Sequence, residues 1–291
     1  MNSNDPQWSY LQHHEHDSEM LKENKLPSCY DDPESIDAWR HMRMHNTILP
    51  LIKAFPDATW LTVGDGKYGS DAYFLKTLGV NVTASSLSDV TLLKAQELGY
   101  LDSVVTQNAE AIDAPDNAYD FVFCKEAYHH FPRPPVAFYE MLRVCRKGVV
   151  LIEPLQGRKR LLDYLKIVIK KLLRKDASML FEPSGNYIYK VNLEEISRMM
   201  TALNFELVSY KTLNDFYHST LSSRTFRPGS FATVATRCGI FVQNVLCRAR
   251  LMNYGLASVI AFKKAPKDSV IDELHRNNFT NLRLPINPYQ T

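Results

Sequence analysis

Short apolar runs alternate with helical stretches through the middle of this chain, from about residue 59 to residue 153. Runs rich in β-branched and aromatic side chains are typical of strands, whereas apolar positions spaced three and four apart are typical of helices. This alternation predicts a parallel, doubly wound α/β sheet, because right-handed crossovers place the helices on the faces of the sheet. The strands are predicted at 60–63, 80–84, 103–106, 119–124 and 148–152.

The rest of the chain departs from this simple alternation. Apolar residues at helical spacing predict helices over 34–54 and 193–203, the second beginning after Asn192 as N-cap. The remaining predicted elements are strands at 205–210 and 256–262, an insertion at 212–255 between them, and a polar tail at 265–291.

Composition and charge argue against several classes of protein. The chain of 291 residues is 45% hydrophobic and 23% charged, with a formal net charge of +2, so neither disorder nor a general attraction to nucleic acid is expected. Its five cysteines are scattered, and His13, His14 and His16 lack clear further ligands, so no metal site is predicted. No uncharged apolar run approaches the roughly 20 residues that cross a bilayer, and we expect a cytoplasmic protein.

A glycine-rich loop, GDGKYG at residues 64–69, lies between the first predicted strand and the helix after it. Gly64, Gly66 and Gly69 have GxGxxG spacing, and glycine lets the backbone approach a ligand without a Cβ in the way. The following helix N-terminus favours an anion. That anion is either the pyrophosphate of a dinucleotide or the carboxylate of an adenosylated amino acid, and a tight turn without a ligand is the alternative.

The residues after the loop separate these two ligands. A dinucleotide site usually has an acid about 20 residues further on, which holds the ribose hydroxyls. Here the second predicted strand ends in Ser85 and Ser86, and neither is an acid. An NADP-linked oxidoreductase stays an alternative. Residues 108–110 (Asn-Ala-Glu) and 124–131 (CKEAYHHF) instead resemble the loops after strands three and four of class I S-adenosylmethionine-dependent methyltransferases.

This resemblance covers about residues 57–155 and implies a fold, a cofactor and its binding residues. The implied fold is α/β, a Rossmann-like doubly wound sheet of seven strands, mostly parallel with the last strand antiparallel, carrying helical cap insertions. The implied cofactor is S-adenosyl-L-methionine, with adenine at the loop after strand three and methionine beside the loop after strand four. The implied binding residues are Gly64, Asp65, Gly66, Tyr68, Gly69, Ser86, Asn108, Ala109, Glu110 and Lys125.

Two positions depart from the pattern of that family. A carboxylate residue usually stands just before the glycine loop, where this chain has Thr62, and an acid usually ends strand two, where Ser86 aligns. Asp65 and Asp89 are candidates for the missing carboxylate. Losing a charged ribose contact costs about 1.5–3 kcal/mol, so a methyltransferase-like binding protein without turnover is a further alternative.

The candidate catalytic residues follow the fourth strand, at the edge where ligands bind in such sheets. His129, His130 and Glu126 are each placed to act as the base that deprotonates an acceptor hydroxyl, and Glu153 is a further candidate. A packing role for either histidine is the alternative. The expected reaction is O-methylation of a small molecule or glycan. A narrower resemblance, to bacterial methyltransferases associated with surface-polysaccharide synthesis, rests on residues 61–71 and 124–134.

A basic amphipathic segment follows the fifth strand. Residues 158–175 contain eight Lys or Arg and one acid, with apolar residues at helical spacing. We expect a lid helix, with peripheral membrane contact as the alternative and nucleic acid as the least favoured partner. The predicted organisation is an N-terminal arm with helices at 1–56, a methyltransferase domain at 57–264 with lid insertions at 155–192 and 212–255, and a tail at 265–291.

Overall fold

The fold is seen in a computed structural model of the chain. The described residues are 10–12, 15, 18–19, 21–22, 26–157, 160, 162, 164, 180–181 and 187–289. Most of the predicted basic helix 158–175, and all three of His13, His14 and His16, lie outside them.

A single eight-stranded sheet organises the described part of the chain, with strand order 3-2-1-4-5-7-6-8. Strands 1 to 5 pair in parallel, strand 7 runs antiparallel between strands 5 and 6, and strand 8 is antiparallel to strand 6. The strands are β1 (Thr59–Thr62), β2 (Asn81–Ser86), β3 (Val104–Thr106), β4 (Tyr119–Lys125), β5 (Cys145–Pro154), β6 (Leu207–Leu213), β7 (Leu256–Phe262) and β8 (Thr280–Arg283).

Helices flank the sheet and precede it in the chain. Several begin at a side chain that satisfies a free backbone N–H, as where the Ser35 hydroxyl accepts from the amide of Ala38 at 3.1 Å. The helices are α1 (Ser28–Asp31), α2 (Ile36–His45), α3 (Leu49–Ala54), α4 (Ser70–Thr77), α5 (Val90–Glu97), α6 (Pro134–Val144), α7 (Leu193–Ala202), α8 (Ser219–Ser222), α9 (Phe231–Arg248) and α10 (Asp268–Arg276), with short 3₁₀ turns at Asn46–Ile48 and Tyr128–His130.

Both faces of the sheet are buried, as a doubly wound sheet requires. Successive strand residues point to opposite faces, so Leu61 and Val122 belong to one apolar cluster, which α6 and α7 cover. Trp60 and Phe121 belong to a second cluster on the opposite face, under α2, α3, α4 and α10. A parallel sheet covered on both faces places the ligand edge at the carboxyl ends of β1 to β5.

The predicted α/β fold is confirmed, including the antiparallel seventh strand. The predicted number of strands, seven, is one too low. The segment 265–291, predicted as a polar tail, forms α10 and β8. The strand Thr280–Arg283 is a mostly exposed edge strand without an apolar alternation, so the sequence gives no strand signal there. No helix within the described ranges is long and apolar enough to cross a membrane.

Candidate active site

The glycine loop connects β1 to α4 at the carboxyl edge of the sheet. Two of its three glycines have conformational and packing reasons to be glycine. Gly64 has φ +75°, and a Cβ there would stand 2.6 Å from the Cβ of Ala127. Gly69 is left-handed, with φ +66°, and its Cβ would stand 2.5 Å from Leu101. The loop is therefore packed against the turn after β4 on one side and against the segment before β3 on the other.

Gly66 differs from the other two glycines. Its φ is not among the positive ones, so a left-handed backbone does not explain the glycine, and it is only partly buried. Its carbonyl accepts a 2.6 Å hydrogen bond from the Thr91 hydroxyl, which holds the loop against α5. Of the three glycines, Gly66 is the one whose missing side chain fits the close approach of a ligand.

Asp65 caps α4 instead of facing a ligand. Its carboxylate accepts from the amides of Asp71 at 3.1 Å and Ala72 at 2.9 Å, and from the Thr62 hydroxyl at 2.9 Å. Burial and the neighbouring Asp71 carboxylate raise the pKa of Asp65 to about 8. The structure does not support a cofactor contact by this side chain, because an acid of the chain itself already occupies the helix start.

Tyr68 is likewise turned away from the ligand edge. Its side chain is 1% exposed and belongs to the apolar cluster with Ala84 and Leu92. Its backbone is left-handed, with φ +55°, and its carbonyl accepts a 2.8 Å hydrogen bond from the Tyr30 hydroxyl. The cofactor contact predicted for Tyr68 stays a prediction, and its ring packs beside Ala84 and Leu92.

Serines end β2 where the family usually has an acid. Ser86 is buried and pairs with Thr106 of β3. The Ser88 hydroxyl is buried without a hydrogen-bond partner among the described residues. Asp89 accepts a 2.9 Å hydrogen bond from the Thr106 hydroxyl. The acid that follows β2 in the chain is therefore Asp89, three residues beyond Ser86.

The loop after β3 is closed by its own interactions. The Asn108 side chain accepts from the Glu110 amide at 2.9 Å, and Ala109 is buried in the core. The buried Glu110 carboxylate accepts from the amide of Arg133 at 2.6 Å and pairs with its guanidinium, also at 2.6 Å. The Tyr10 hydroxyl donates to it at 2.9 Å. Glu110 therefore ties the loop to the chain before α6, and an adenine contact by this carboxylate is not supported.

Lys125 and Glu126, at the end of β4, belong to a charged cluster beside the glycine loop. The Lys125 ammonium lies 3.4 Å from Asp71 and 3.0 Å from Glu126. Asp71 also meets His45 at 2.7 Å, and Glu126 meets His41 at 3.3 Å. Both histidines come from α2, so this N-terminal helix contributes side chains to the edge of the sheet.

Mutual pairing favours the charged forms of three members of this cluster, Lys125, Glu126 and Asp71. Burial opposes each charged form, but Lys125 holds the pKa of the Glu126 carboxyl, and that of Asp71, below the ordinary values. Burial would lower the pKa of Lys125, yet the two carboxylates raise it above its ordinary value. The Lys125 ammonium is thus balanced within the chain, and a direct salt bridge from it to a cofactor carboxylate is not supported. The Glu126 side chain keeps 32% exposure and faces the edge with a negative charge.

His129 forms a second histidine–carboxylate pair in the turn after β4. Its Nδ1 lies 2.6 Å from Glu153, which is fully buried at the end of β5. Glu153 in turn accepts from the amides of Ala127 and Tyr128, each at 2.8 Å. This arrangement fixes the orientation of the imidazole through a carboxylate that the backbone holds in place.

Two further side chains border this turn. The ring of His130 is tilted against that of His129 at 3.9 Å between centroids. The amide of Tyr189 donates to the His129 carbonyl at 3.2 Å, and its hydroxyl donates to Glu195 at 2.5 Å. Burial and Glu195 raise the pKa of Tyr189 to about 12. The histidine turn is therefore flanked by an aromatic residue near the end of the predicted lid insertion 155–192.

Patterns in the sequence did not predict the contributions of α2 and of Asp71. His45 and Asp71 are 26 residues apart and belong to different elements, and no short motif links them. Tyr10 and Glu110 are separated by 100 residues. Glu153 had a local signal, an acid at the end of a predicted strand, but its role as the partner of His129 needed the register of β4 against β5.

Residues 61–152 match the family model described as a methyltransferase domain. The match runs from β1 to β5 and contains the glycine loop, the charged pair at the end of β4 and the histidine turn. It confirms the resemblance to class I methyltransferases over the segment that carries it. The NADP-linked alternative is not favoured.

Two curated relatives are similar over part of the chain. The 2-methyl-6-phytyl-1,4-hydroquinone methyltransferase of Synechocystis sp. is 35% identical over 100 residues, which are 33% of this chain and 31% of that protein. The glycine/sarcosine/dimethylglycine N-methyltransferase of Actinopolyspora halophila is 27% identical over 129 residues, 42% of this chain and 23% of that protein. The chain thus spans less than a third of the length of these relatives.

Solved structures of low identity also align. The YcgJ protein from Bacillus subtilis is 18% identical with a TM-score of 0.47, covering 76% of this chain and 100% of that chain. A SAM-dependent methyltransferase from Archaeoglobus fulgidus is 16% identical with a TM-score of 0.48, covering 77% of this chain and 94% of that chain.

Proposed function

We propose that this chain, whose residues 61–152 are a methyltransferase domain, transfers a methyl group from S-adenosylmethionine to an oxygen of a small-molecule acceptor. The observation that carries the proposal is that the family match includes the strands that position the candidate site. The family match covers β1 to β5, and the glycine loop and the oriented His129–Glu153 pair both lie at the carboxyl ends of these strands. Parallel sheets bind their ligands at this edge.

The residues present fit the cofactor in part. The backbone around Gly66 would bring the chain close to it, because no side chain stands there and no unusual φ demands the glycine. The exposed carboxylate of Glu126 would attract the cationic part of an adenosylated amino acid. The hydroxyl of Ser88, close to the end of β2, has no partner among the described residues and would gain a hydrogen bond from a ribose hydroxyl. Serines then replace the usual acid, and we expect a weaker ribose contact.

The chemistry divides between the cofactor and the chain. Bound S-adenosylmethionine supplies a methyl group on a sulfonium, whose sulfur keeps the bonding electron pair when the group leaves. The acceptor oxygen forms the new bond to carbon and loses its proton. We assign that proton to Nε2 of His129, since Nδ1 faces Glu153. The Glu153 carboxylate stabilises the imidazolium that results, and a positioned base of this kind contributes about 10²–10⁴ in rate.

The acceptor is proposed as a small molecule. The names of both curated relatives specify small acceptors, a substituted hydroquinone in one and glycine, sarcosine and dimethylglycine in the other. A glycan or a surface-polysaccharide precursor stays a prediction from the sequence, without support from these relatives. Methylation at oxygen is supported by the presence of an oriented base, which a neutral hydroxyl needs.

Transfer of labelled methyl from S-adenosylmethionine to a panel of phenols, hydroquinones, amines and sugars tests the proposal. We expect product from a hydroxyl acceptor. Titration of the same protein with S-adenosylmethionine, its demethylated product and NADP separates the alternatives. Binding of NADP alone would overturn the assignment, and tight cofactor binding with no product from any acceptor would favour a binding protein without turnover.

A further inference from the structure

Helix α9 turns an apolar side toward solvent. It spans 18 residues in the insertion between β6 and β7. Phe231 is 84% exposed, Phe241 66% and Val242 53%, and Val234 and Val245 are each 46% exposed. At 3.6 residues per turn these five positions fall within an arc of about 100°. We refer to them as the α9 stripe.

The opposite side of α9 holds the helix on the domain through small and polar residues. Thr233, Thr236, Ile240 and Cys247 are buried. A Cβ at Gly239 would stand 2.6 Å from the ring of Phe216, so helix and chain are in close contact there. A surface helix normally buries its larger apolar residues. Here small and polar residues make the contact with the domain, and the larger apolar residues point outward. The stripe is therefore not a face that packs on this chain's own core.

The charge around the stripe has one sign. From residue 216 to residue 255 the sequence has five arginines and no Asp or Glu. All five are exposed, and none forms an ion pair with a residue that the structure describes. Two of them, Arg237 and Arg248, lie on α9 along one border of the stripe. The partner of this surface must therefore combine an apolar interior with negative charge.

A second basic segment begins beside the end of α9. The amide of Leu162 donates to the carbonyl of Leu251 at 3.1 Å. Leu162 belongs to the segment 158–175, with its eight basic residues and one acid. Strand β6 runs parallel to β5 through the antiparallel β7, so its carboxyl end, where the insertion starts, lies at the same edge as the glycine loop. Both basic, apolar segments thus follow strand ends at the candidate active site.

We propose that the α9 stripe and its bordering arginines dock this chain on the surface of an anionic lipid bilayer. The phenyl and valyl side chains enter the boundary between headgroups and acyl chains, and the guanidinium groups contact lipid phosphates. A second copy of the chain does not fit as well, because pairing two stripes would bring arginines of like charge together. A nucleic acid would leave the stripe in water. The inference is independent of the methyltransferase activity.

Flotation of the full-length protein with vesicles tests this docking. We expect binding to vesicles of mixed phosphatidylcholine and phosphatidylglycerol, little binding to phosphatidylcholine alone, and weaker binding as salt rises. The double variant Phe231→Ser/Phe241→Ser should bind at least about tenfold more weakly, because it removes the two phenyl groups that the bilayer would bury. Leu93→Ser/Val136→Ser is the matched control, since it removes two exposed apolar residues from α5 and α6, and it should bind like the unmodified protein.

A second pair of variants tests the charge without touching the stripe. Arg237→Gln/Arg248→Gln should weaken binding about fivefold per arginine, whereas Arg198→Gln/Arg276→Gln, on α7 and α10, should leave it unchanged. Equal binding of both vesicle types, or equal binding by the stripe variant and its control, would overturn the proposal. So would a dimer in sedimentation that the stripe variant dissociates, or retention on single-stranded RNA, if vesicle binding is absent.

Discussion

Two buried histidine–carboxylate pairs flank the glycine loop, and they differ in what else the carboxylate touches. In the first, Asp71 meets His45 at 2.7 Å and the Lys125 ammonium at 3.4 Å. The imidazole of His45 also stacks on Phe74, with centroids 4.4 Å apart. Its burial lowers the pKa of His45. A lysine therefore balances the carboxylate, and the histidine stays a neutral, packed hydrogen-bond partner.

In the second pair, Glu153 meets two backbone amides and His129. Within the described ranges, no lysine or arginine forms an ion pair with this carboxylate. A proton taken up by His129 would therefore balance a charge that is otherwise met only by neutral donors. A histidine beside a carboxylate is therefore not by itself a base. The remaining neighbours of the carboxylate decide whether protonation of the ring is stabilised.

Replacing each of the two imidazoles should give the largest difference in the rate of methyl transfer. His129→Gln is expected to lower the rate of methyl transfer by about 10²–10⁴ while leaving cofactor affinity unchanged, because the base acts on the acceptor. His45→Gln, the matched control, should keep most of the rate. Initial rates with labelled cofactor and calorimetric titration measure both quantities. Equal losses of rate in the two variants would contradict the distinction.

Lys125→Met should destabilise the fold by about 3–5 kcal/mol, since it leaves the Asp71 carboxylate buried without its cation. Lys125→Arg keeps the charge and should cost much less. Urea denaturation at neutral pH gives the free energy of unfolding for each variant. A loss below about 1 kcal/mol for Lys125→Met would show that the cluster is solvated, as exposed ion pairs are.

His45→Gln should itself lower the free energy of unfolding by about 1.5–3 kcal/mol, the range for a hydrogen bond to a charged group. The ring stacking on Phe74 is lost in the same variant. His275→Gln, at an exposed position of α10, serves as the control and should stay within about 0.5 kcal/mol of the unmodified protein, as surface positions do. Denaturation under one set of conditions compares the two.

The smallest expected effect concerns acid. Lys125 holds the pKa of Glu126 below the ordinary value of 4.5. The pairing of the two side chains therefore stabilises the fold fully above pH 4.5, and this stabilisation is lost as the pH falls through the lower pKa of the folded state. Between pH 6 and pH 3, the unmodified protein should therefore lose more unfolding free energy than Glu126→Gln, by less than about 1 kcal/mol for so exposed a carboxylate. Parallel slopes for both proteins would contradict the pairing.

The strands were predictable because each carries its own apolar signal. Residues 119–124 and 148–152 are almost wholly apolar, as strands buried on both faces must be, and they became β4 and β5. Strand β8 was not predictable. Its pairing with β6 depends on backbone hydrogen bonds and on the packing of α10, and a polar edge strand leaves no pattern in the sequence.

The site was predictable in position but only partly in detail. The glycine loop and the histidine turn lie at one edge of the sheet, as the strand order requires. The roles predicted for Asp65, Tyr68 and Glu110 stay predictions, and each side chain has a partner or a packing site within the chain. Such partners come from the register of strands and from the placement of α2, which local patterns do not encode.

Calorimetric titration with S-adenosylmethionine, comparing the unmodified protein with Gly66→Val, measures whether the backbone at Gly66 approaches the cofactor. Gly66 has no positive φ that valine would strain. We predict one cofactor bound per chain in the unmodified protein and none in the folded variant. Unchanged affinity in Gly66→Val, or no binding by either protein, would contradict the account.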